Sequence, residues 1–268
     1  MSTRTVIKVV EKYLRLPQFT VSIRRDQTRN QYAYLLRRLC SLPYKDGTVG
    51  DIPTTKLKAS TCQELYYLMI EQSQGAGVRA ANYTVQVAVR AWNVLIKHDL
   101  LDKNPWSLVE RMQAAPRHTV WTNTDFETIL KTAFAESKWR NVGLLIRINA
   151  ELGQRAGDMR LVQWENFDLE QQLYVRESIE KTREHIPGIP ISDNLKHMII
   201  KQKEYYSFQP WVVPNPHTME PYTESGLRHT FRRLARAANI PDKLQFRDIR
   251  RTVLTDLANH GATDNEMM

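Results

Sequence analysis

The chain has 268 residues, 42% hydrophobic and 25% charged, with a formal net charge of +9. This is a globular composition with room for one large domain or two ordinary ones. No apolar run approaches the roughly 18 residues of a membrane span, and Arg4, Lys8, Glu11, Lys12 and Arg15 break up the first residues in a way that reads against a secretory leader.

The excess charge is unevenly placed. Up to His118 there are 18 Lys and Arg against 9 Asp and Glu, and from Thr119 onward 20 against 20. A basic segment beside a neutral one suggests a polyanion-binding module attached to something else, the alternative being a solvated basic face. The only cysteines are Cys40 and Cys62. Two lone thiols fit a reduced, intracellular protein and read as core residues rather than a disulfide. No CxxC, HxH or HExxH pair supports a metal site.

In chain order, Tyr32, Leu35, Leu36 and Leu39 recur at helical spacing among Arg24, Arg25, Arg29, Arg37 and Arg38. Pro43 and the Lys45-Asp46-Gly47 turn end that helix. A second helix is expected over residues 61–72, with Leu65, Leu68 and Met69 inward. A third is expected over 80–98, striped by Val85, Val89, Trp92 and Leu95 and stopped before Pro105. Residues 113–119, with Pro116 and no apolar periodicity, read as a linker.

Beyond it, Thr124 and Glu127 have capping-box spacing at the start of a helix. An apolar helix follows over 142–152, then strand-like pieces at 172–175, 177–179 and 186–191, then helices at 195–206, 224–238 and 249–260. The fold class expected is mainly α with a small antiparallel β-sheet, in two domains of residues 1–115 and 116–268.

Three fragments carry candidate chemistry. Gly153-Gln154-Arg155-Ala156-Gly157-Asp158 sets an arginine between glycines after a buried helix. Read alone it is a surface turn with an Arg–Asp pair; alternatively, the arginine grips a phosphate in bidentate fashion and Asp158 orients it. Lys181-Thr182 falls at an expected hairpin tip, where lysines are commonplace but can also swing over a ligand. Arg247-Asp248-Ile249-Arg250-Arg251-Thr252 packs arginines at a helix start, which is unfavourable unless an anion or nearby acids such as Asp248 and Asp256 compensate.

In this order the fragments resemble the tyrosine recombinase, or phage integrase, family. Residues 151–164, Glu-Leu-Gly-Gln-Arg-Ala-Gly-Asp-Met-Arg-Leu-Val-Gln-Trp, are similar to its first arginine box, with Asp168 matching the acid that commonly follows. Lys181, with Ile189-Pro190-Ile191 behind it, resembles the β-hairpin lysine, and Arg247 to Thr252 resembles the second box. Residues 84–106, ending in Leu101 to Pro105, resemble the last helices of the core-binding domain. Leu227-Arg228-His229-Thr230-Phe231 is a decoy for the second box: Ser225 stands three before Arg228, so Arg228 is assigned to the preceding helix as a DNA-backbone contact.

The resemblance implies a helical core-binding (SAM-like) domain followed by an α+β catalytic domain lacking its C-terminal end. It implies a cytoplasmic, DNA-associated protein of a mobile element, acting on double-stranded DNA with further recombinase protomers, without cofactor or metal. Family chemistry is attack of a tyrosine on a DNA phosphodiester. Arg155 and Arg250 would clamp the phosphate with Asp158 supporting, Arg247 would add a donor, and Lys181 would protonate the departing oxygen. Arg24, Arg25, Arg29, Arg79 and Arg90 are further DNA-contact candidates.

Arg247 stands where the family usually has histidine and is a poor proton shuttle. The last tyrosine is Tyr222, before Arg250, so no residue of this sequence matches the nucleophile. The expectation is therefore a chain that grips DNA but does not cleave alone. A non-catalytic DNA-binding regulator or accessory factor is the alternative, and a helical interaction protein with no nucleic-acid role is a third reading.

Overall fold

A computed structural model describes residues 4–72, 77–176 and 186–263. The chain divides into two compact units, Met1–Pro116 and Arg117–Met268.

The first unit is helical: α1 (Val6–Tyr13), α2 (Pro17–Thr20), α3 (Asp26–Cys40), α4 (Ala59–Glu71) and α5 (Gly77–Lys97). A short antiparallel hairpin, β1 (Pro43–Tyr44) with β2 (Gly47–Thr48), lies between α3 and α4. Helix α5 is the spine. It packs on α1, α3 and α4 because its small and apolar positions Ala81, Val85, Ala88, Trp92 and Leu95 all fall on buried faces. Trp92 meets Trp106 edge to face, with ring centroids 6.1 Å apart. Helix α1, which is not among the helices expected from the sequence, buries Val6, Val9, Val10 and Tyr13 at i, i+3, i+4 and i+7.

Both cysteines are free and buried in this core, and burial pushes each thiol up to about 12. The departing chain is tied down along α4 and α5. Met112 donates its N–H to the Tyr66 hydroxyl at 2.8 Å and accepts from Asn82 at 2.9 Å, and Gln63 exchanges two bonds with Glu110.

The second unit contains α6 (Asn123–Ala135), α7 (Arg140–Leu152), α8 (Ala156–Met159), strands β3 (Phe167–Asp168), β4 (Leu173–Arg176) and β5 (Ile186–Pro190), then α9 (Asp193–Tyr206), α10 (Glu224–Ala237) and α11 (Asp248–Asn259). The strands form one antiparallel sheet, with Phe167 opposite Tyr174 and Tyr174 opposite Ile189. The strand expected at 177–179 and the hairpin position of Lys181 lie outside the described residues. Among the described residues, no helix is long and apolar enough to cross a membrane.

Helix α6 begins two residues before the place its sequence suggests. Thr122, not Thr124, is the cap: its hydroxyl accepts from Asp125 N–H at 3.1 Å while the Asp125 carboxylate accepts from Thr122 N–H at 2.9 Å. Thr122-x-x-Asp125 and Thr124-x-x-Glu127 both have box spacing, and the packing of Trp121 selects the first. Trp121 stacks on Phe126 at 5.0 Å and meets Phe231 at 6.0 Å.

Helix α7 is the centre of this unit and packs on α6, α8, α9, α10 and α11. It carries a buried polar link: Asn141 donates to the Pro214 carbonyl at 2.7 Å, and Gln202 donates to Asn141 at 3.0 Å and to the Val212 carbonyl at 3.0 Å. Both amides are about 4% exposed, so water cannot replace a lost partner. Asn141→Ala should therefore cost about 1–3 kcal/mol, read as a lower urea midpoint. Replacing Asn141 and Gln202 together by leucine should cost less than the two single substitutions combined.

Candidate functional site

The site is built where α11 crosses the end of α7. Gly153 closes α7 in the left-handed conformation, φ +59°, its N–H bonded to the Asn149 carbonyl at 2.9 Å. A Cβ at this position would lie 2.8 Å from Val253 Cγ1 of α11, so only glycine allows this approach. The chain then turns through Arg155, the extended N-cap of the short helix α8. The Arg155 carbonyl accepts from Asp158 N–H at 2.9 Å and Met159 N–H at 3.0 Å. Its side chain is left exposed.

Arg250 reaches this turn from the first turn of α11. It is half-buried and donates from Nη1 to the Gly153 carbonyl at 2.9 Å. Burial holds its guanidinium below the usual range; Arg155 acts in the same direction and Asp158 against it. Arg155, Asp158 and Arg250 thus lie within electrostatic reach of one another, although the two arginines are far apart in sequence. An arginine stays charged under such pressure, and an anion placed between the two would relieve the repulsion.

Arg247 is exposed at the N-cap of the same helix, one turn before Arg250. Among the described residues, no hydrogen bond or ion pair joins it to Arg155 or Arg250. Lys181 lies outside the described residues. Arg228 is exposed on α10, and Asp168 caps the β3–β4 turn by accepting from the N–H groups of Glu170 and Gln171 at 3.1 and 2.9 Å.

The neighbouring acid Glu151 has a separate task. It accepts from Arg147 at 2.5 Å and from the Ser192 hydroxyl at 2.7 Å, tying the last turn of α7 to the start of α9. Tyr222 is buried, and desolvation pushes its phenol up to about 12, so it remains a neutral, enclosed hydroxyl at physiological pH. Among the described residues, no group of three or more His, Cys, Asp or Glu could hold a metal ion.

In the first unit, Arg24, Arg25 and Arg90 are exposed. Arg90 lines an open groove of about 440 Å3 with Gln18, Ser22, Gln86, Asn93 and Lys97. Arg29 and Arg79 are occupied locally. Arg29 donates to the carbonyls of Thr20 and Ile23 and pairs with Asp26, while Arg79 donates to the Ala115 carbonyl.

Sequence reasoning passes over Arg117. Its Nε donates to Asp248 Oδ1 at 3.0 Å and its Nη2 to Oδ2 at 2.6 Å, a paired bond with a carboxylate that is about 2% exposed. Separated by 131 positions, the pair has no local signal.

This architecture is that of the integrase fold. Over 98% of this chain and 90% of the other, it superposes on a Tn1549 transposon integrase in complex with circular intermediate DNA, with a TM-score of 0.75 at 16% identity. A lambda integrase dimer bound to a COC′ core site matches over 96% of this chain and 91% of that one, at a TM-score of 0.76 and 17% identity. A lambda integrase tetramer bound to a Holliday junction gives a TM-score of 0.77 at 16% identity, covering 99% of this chain and 73% of that one.

In sequence, the phage integrase family profile matches residues 120–268. The chain belongs to this family, the tyrosine recombinases. A relative, the tyrosine recombinase XerC of Pediococcus pentosaceus, is 24% identical over 185 residues, which is 64% of this chain and 60% of that protein's length.

The close approach at Gly153 is directly testable. Gly153→Ala combines a left-handed backbone with a collision against Val253 and should destabilise by about 1–3 kcal/mol, measured by urea unfolding. Adding Val253→Ala should recover the steric part of the loss but not the backbone part.

Proposed function

We propose that the chain binds duplex DNA as a site-specific recombinase does and holds one backbone phosphate between Arg155 and Arg250. The observation that carries this is the meeting of the two guanidinium-bearing turns, with Arg250 anchored on the Gly153 carbonyl and its charge disfavoured by that of Arg155. Two fixed cationic donors at one place stabilise the charge that gathers on the non-bridging oxygens during phosphoryl transfer, with no reorganisation needed as it forms.

In this reading Asp158 restrains the arginines, Arg247 supplies a further donor from the helix entrance, and Lys181 is the general acid for the departing oxygen. Arg24, Arg25 and Arg90 of the first unit, with Arg228 of the second, make phosphate contacts that position the duplex without reading its sequence. Arg29 and Arg79 contribute to the field while holding their own backbone segments. The first unit is the core-binding domain and the second the catalytic domain. Partners are duplex DNA and further protomers, by analogy with relatives described on DNA as dimers and tetramers.

Family chemistry uses a tyrosine nucleophile. In these 268 residues the last tyrosine is the buried Tyr222, so the reading assigns them DNA binding and phosphate positioning and gives none of them the attacking role. A DNA-binding regulator built on the same site would use the same contacts.

Fluorescence anisotropy with a random-sequence duplex tests this. Arg155→Ala and Arg250→Ala should each weaken binding by about tenfold or more and lower the slope of log affinity against log salt by about 1. Unchanged affinity in either folded variant would remove the proposal.

A further inference from the structure

The segment that opens the second unit is stitched to the helix that presents Arg250. Arg117 makes its paired bond to Asp248, the first residue of α11, which stands between Arg247 and Arg250. The same carboxylate accepts from Gln245 N–H at 3.0 Å. Arg117 also donates to the Lys243 carbonyl, and its own carbonyl accepts from Arg251. A turn further on, Trp121 N–H donates to the Thr252 hydroxyl at 2.8 Å, and that hydroxyl donates to the Asp248 carbonyl at 3.1 Å.

Asp248 is buried and Arg117 half-buried, and Asp248 pulls the Arg117 guanidinium above its usual range. Asp248 is thus spent on Arg117, and Arg251 on the Arg117 carbonyl. Of the four charged residues at 247, 248, 250 and 251, the middle acid and the last cation face the entering segment. Arg250 faces the Gly153 turn, and Arg247 is exposed at the helix entrance. The sharing-out of this charged run is what aims Arg250.

We propose that Arg117 is a positioning residue: through Asp248 it fixes the first turn of α11 and so sets the direction in which Arg250 meets the phosphate. This rests on the phosphate site proposed above. The paired geometry is essential. A carboxylate held by two parallel bonds from a planar guanidinium cannot rotate, whereas one held by a single ammonium can. Arg117→Lys should therefore keep the charge and lose part of the alignment.

Charge bookkeeping separates this from a plain electrostatic effect. Asp248→Asn removes a negative charge beside a DNA site. Electrostatics alone predicts tighter binding, whereas loss of aim predicts weaker binding.

The experiment measures duplex affinity by anisotropy for the full chain carrying Asp248→Asn, Arg117→Lys, Arg250→Ala and the combination of Asp248→Asn with Arg250→Ala. It is done at a temperature where circular dichroism shows each variant folded. Asn141→Ala, a destabilising change at the Gln202 link, serves as the control for stability alone. We expect Asp248→Asn to weaken binding about threefold to tenfold, Arg117→Lys to fall between it and the parent, and Asn141→Ala to leave affinity unchanged. In the combined variant the Asp248→Asn loss should vanish, because residues that act through one another are not additive.

Binding that is unchanged or tighter in Asp248→Asn, while Arg250→Ala weakens it, overturns the inference and leaves the phosphate site standing. Additive losses in the combined variant also overturn it. No loss in Arg250→Ala removes the phosphate site itself, and this inference with it.

Discussion

A single hydrogen bond, from the Arg250 guanidinium to the Gly153 carbonyl, joins parts of the chain 97 positions apart. Much else in the second unit serves to make it possible. Gly153 must be left-handed and bare of a side chain for Val253 to come this close. Helix α7 must end there, held by Glu151 to Ser192. Helix α11 must enter at the right angle, its first residue Asp248 held by Arg117. Once these conditions hold, the half-buried cation at 250 and the exposed cation at 155 share one small region.

That arrangement is electrostatically unfavourable by itself, since burial and Arg155 both act against the charge on Arg250. Asp158 and the Gly153 carbonyl offset part of this, and an anion placed beside the two guanidiniums would relieve more. A DNA phosphate has the charge, size and oxygen geometry for two guanidinium forks. The local basic excess of the first unit, with its groove beside Arg90 and Lys97, fits a partner of the same charge.

Local features of the fold are legible in the sequence because they depend on near neighbours. The stripe of Val85, Trp92 and Leu95 announces α5, and Pro43 with the Lys45 turn announces the end of α3. Where two local signals compete, tertiary packing decides. Both Thr122 and Thr124 can begin a capping box, and Trp121, anchored on Phe126 and Phe231, selects Thr122. Helix α1 carries the same local signal: Val6, Val9, Val10 and Tyr13 recur at i, i+3, i+4 and i+7, with Lys8, Glu11 and Lys12 on the opposite face.

The candidate site is legible only in part. Nothing local to Arg155 distinguishes it from a surface turn; it becomes a candidate through its order with Lys181 and the 247–252 run. Arg117 is invisible to that logic. Its partner is 131 positions away, and its surroundings, Ala-Pro-Arg-His, have the composition of a linker. Arg29 and Arg79 show what a charge count leaves out. Net charge marks them as DNA contacts, whereas their guanidiniums are engaged by nearby backbone carbonyls. Counting charges cannot reveal which donors are already in use.

The proposed sharing of one phosphate by Arg155 and Arg250 can be tested directly on their own protons. In nitrogen-15 spectra of arginine side chains, titration with inorganic phosphate should move the Nε–H signals of both residues along one binding curve. Arg155→Ala should weaken the response that remains at Arg250. Two unrelated curves, or a response from one arginine that is indifferent to loss of the other, would contradict the account.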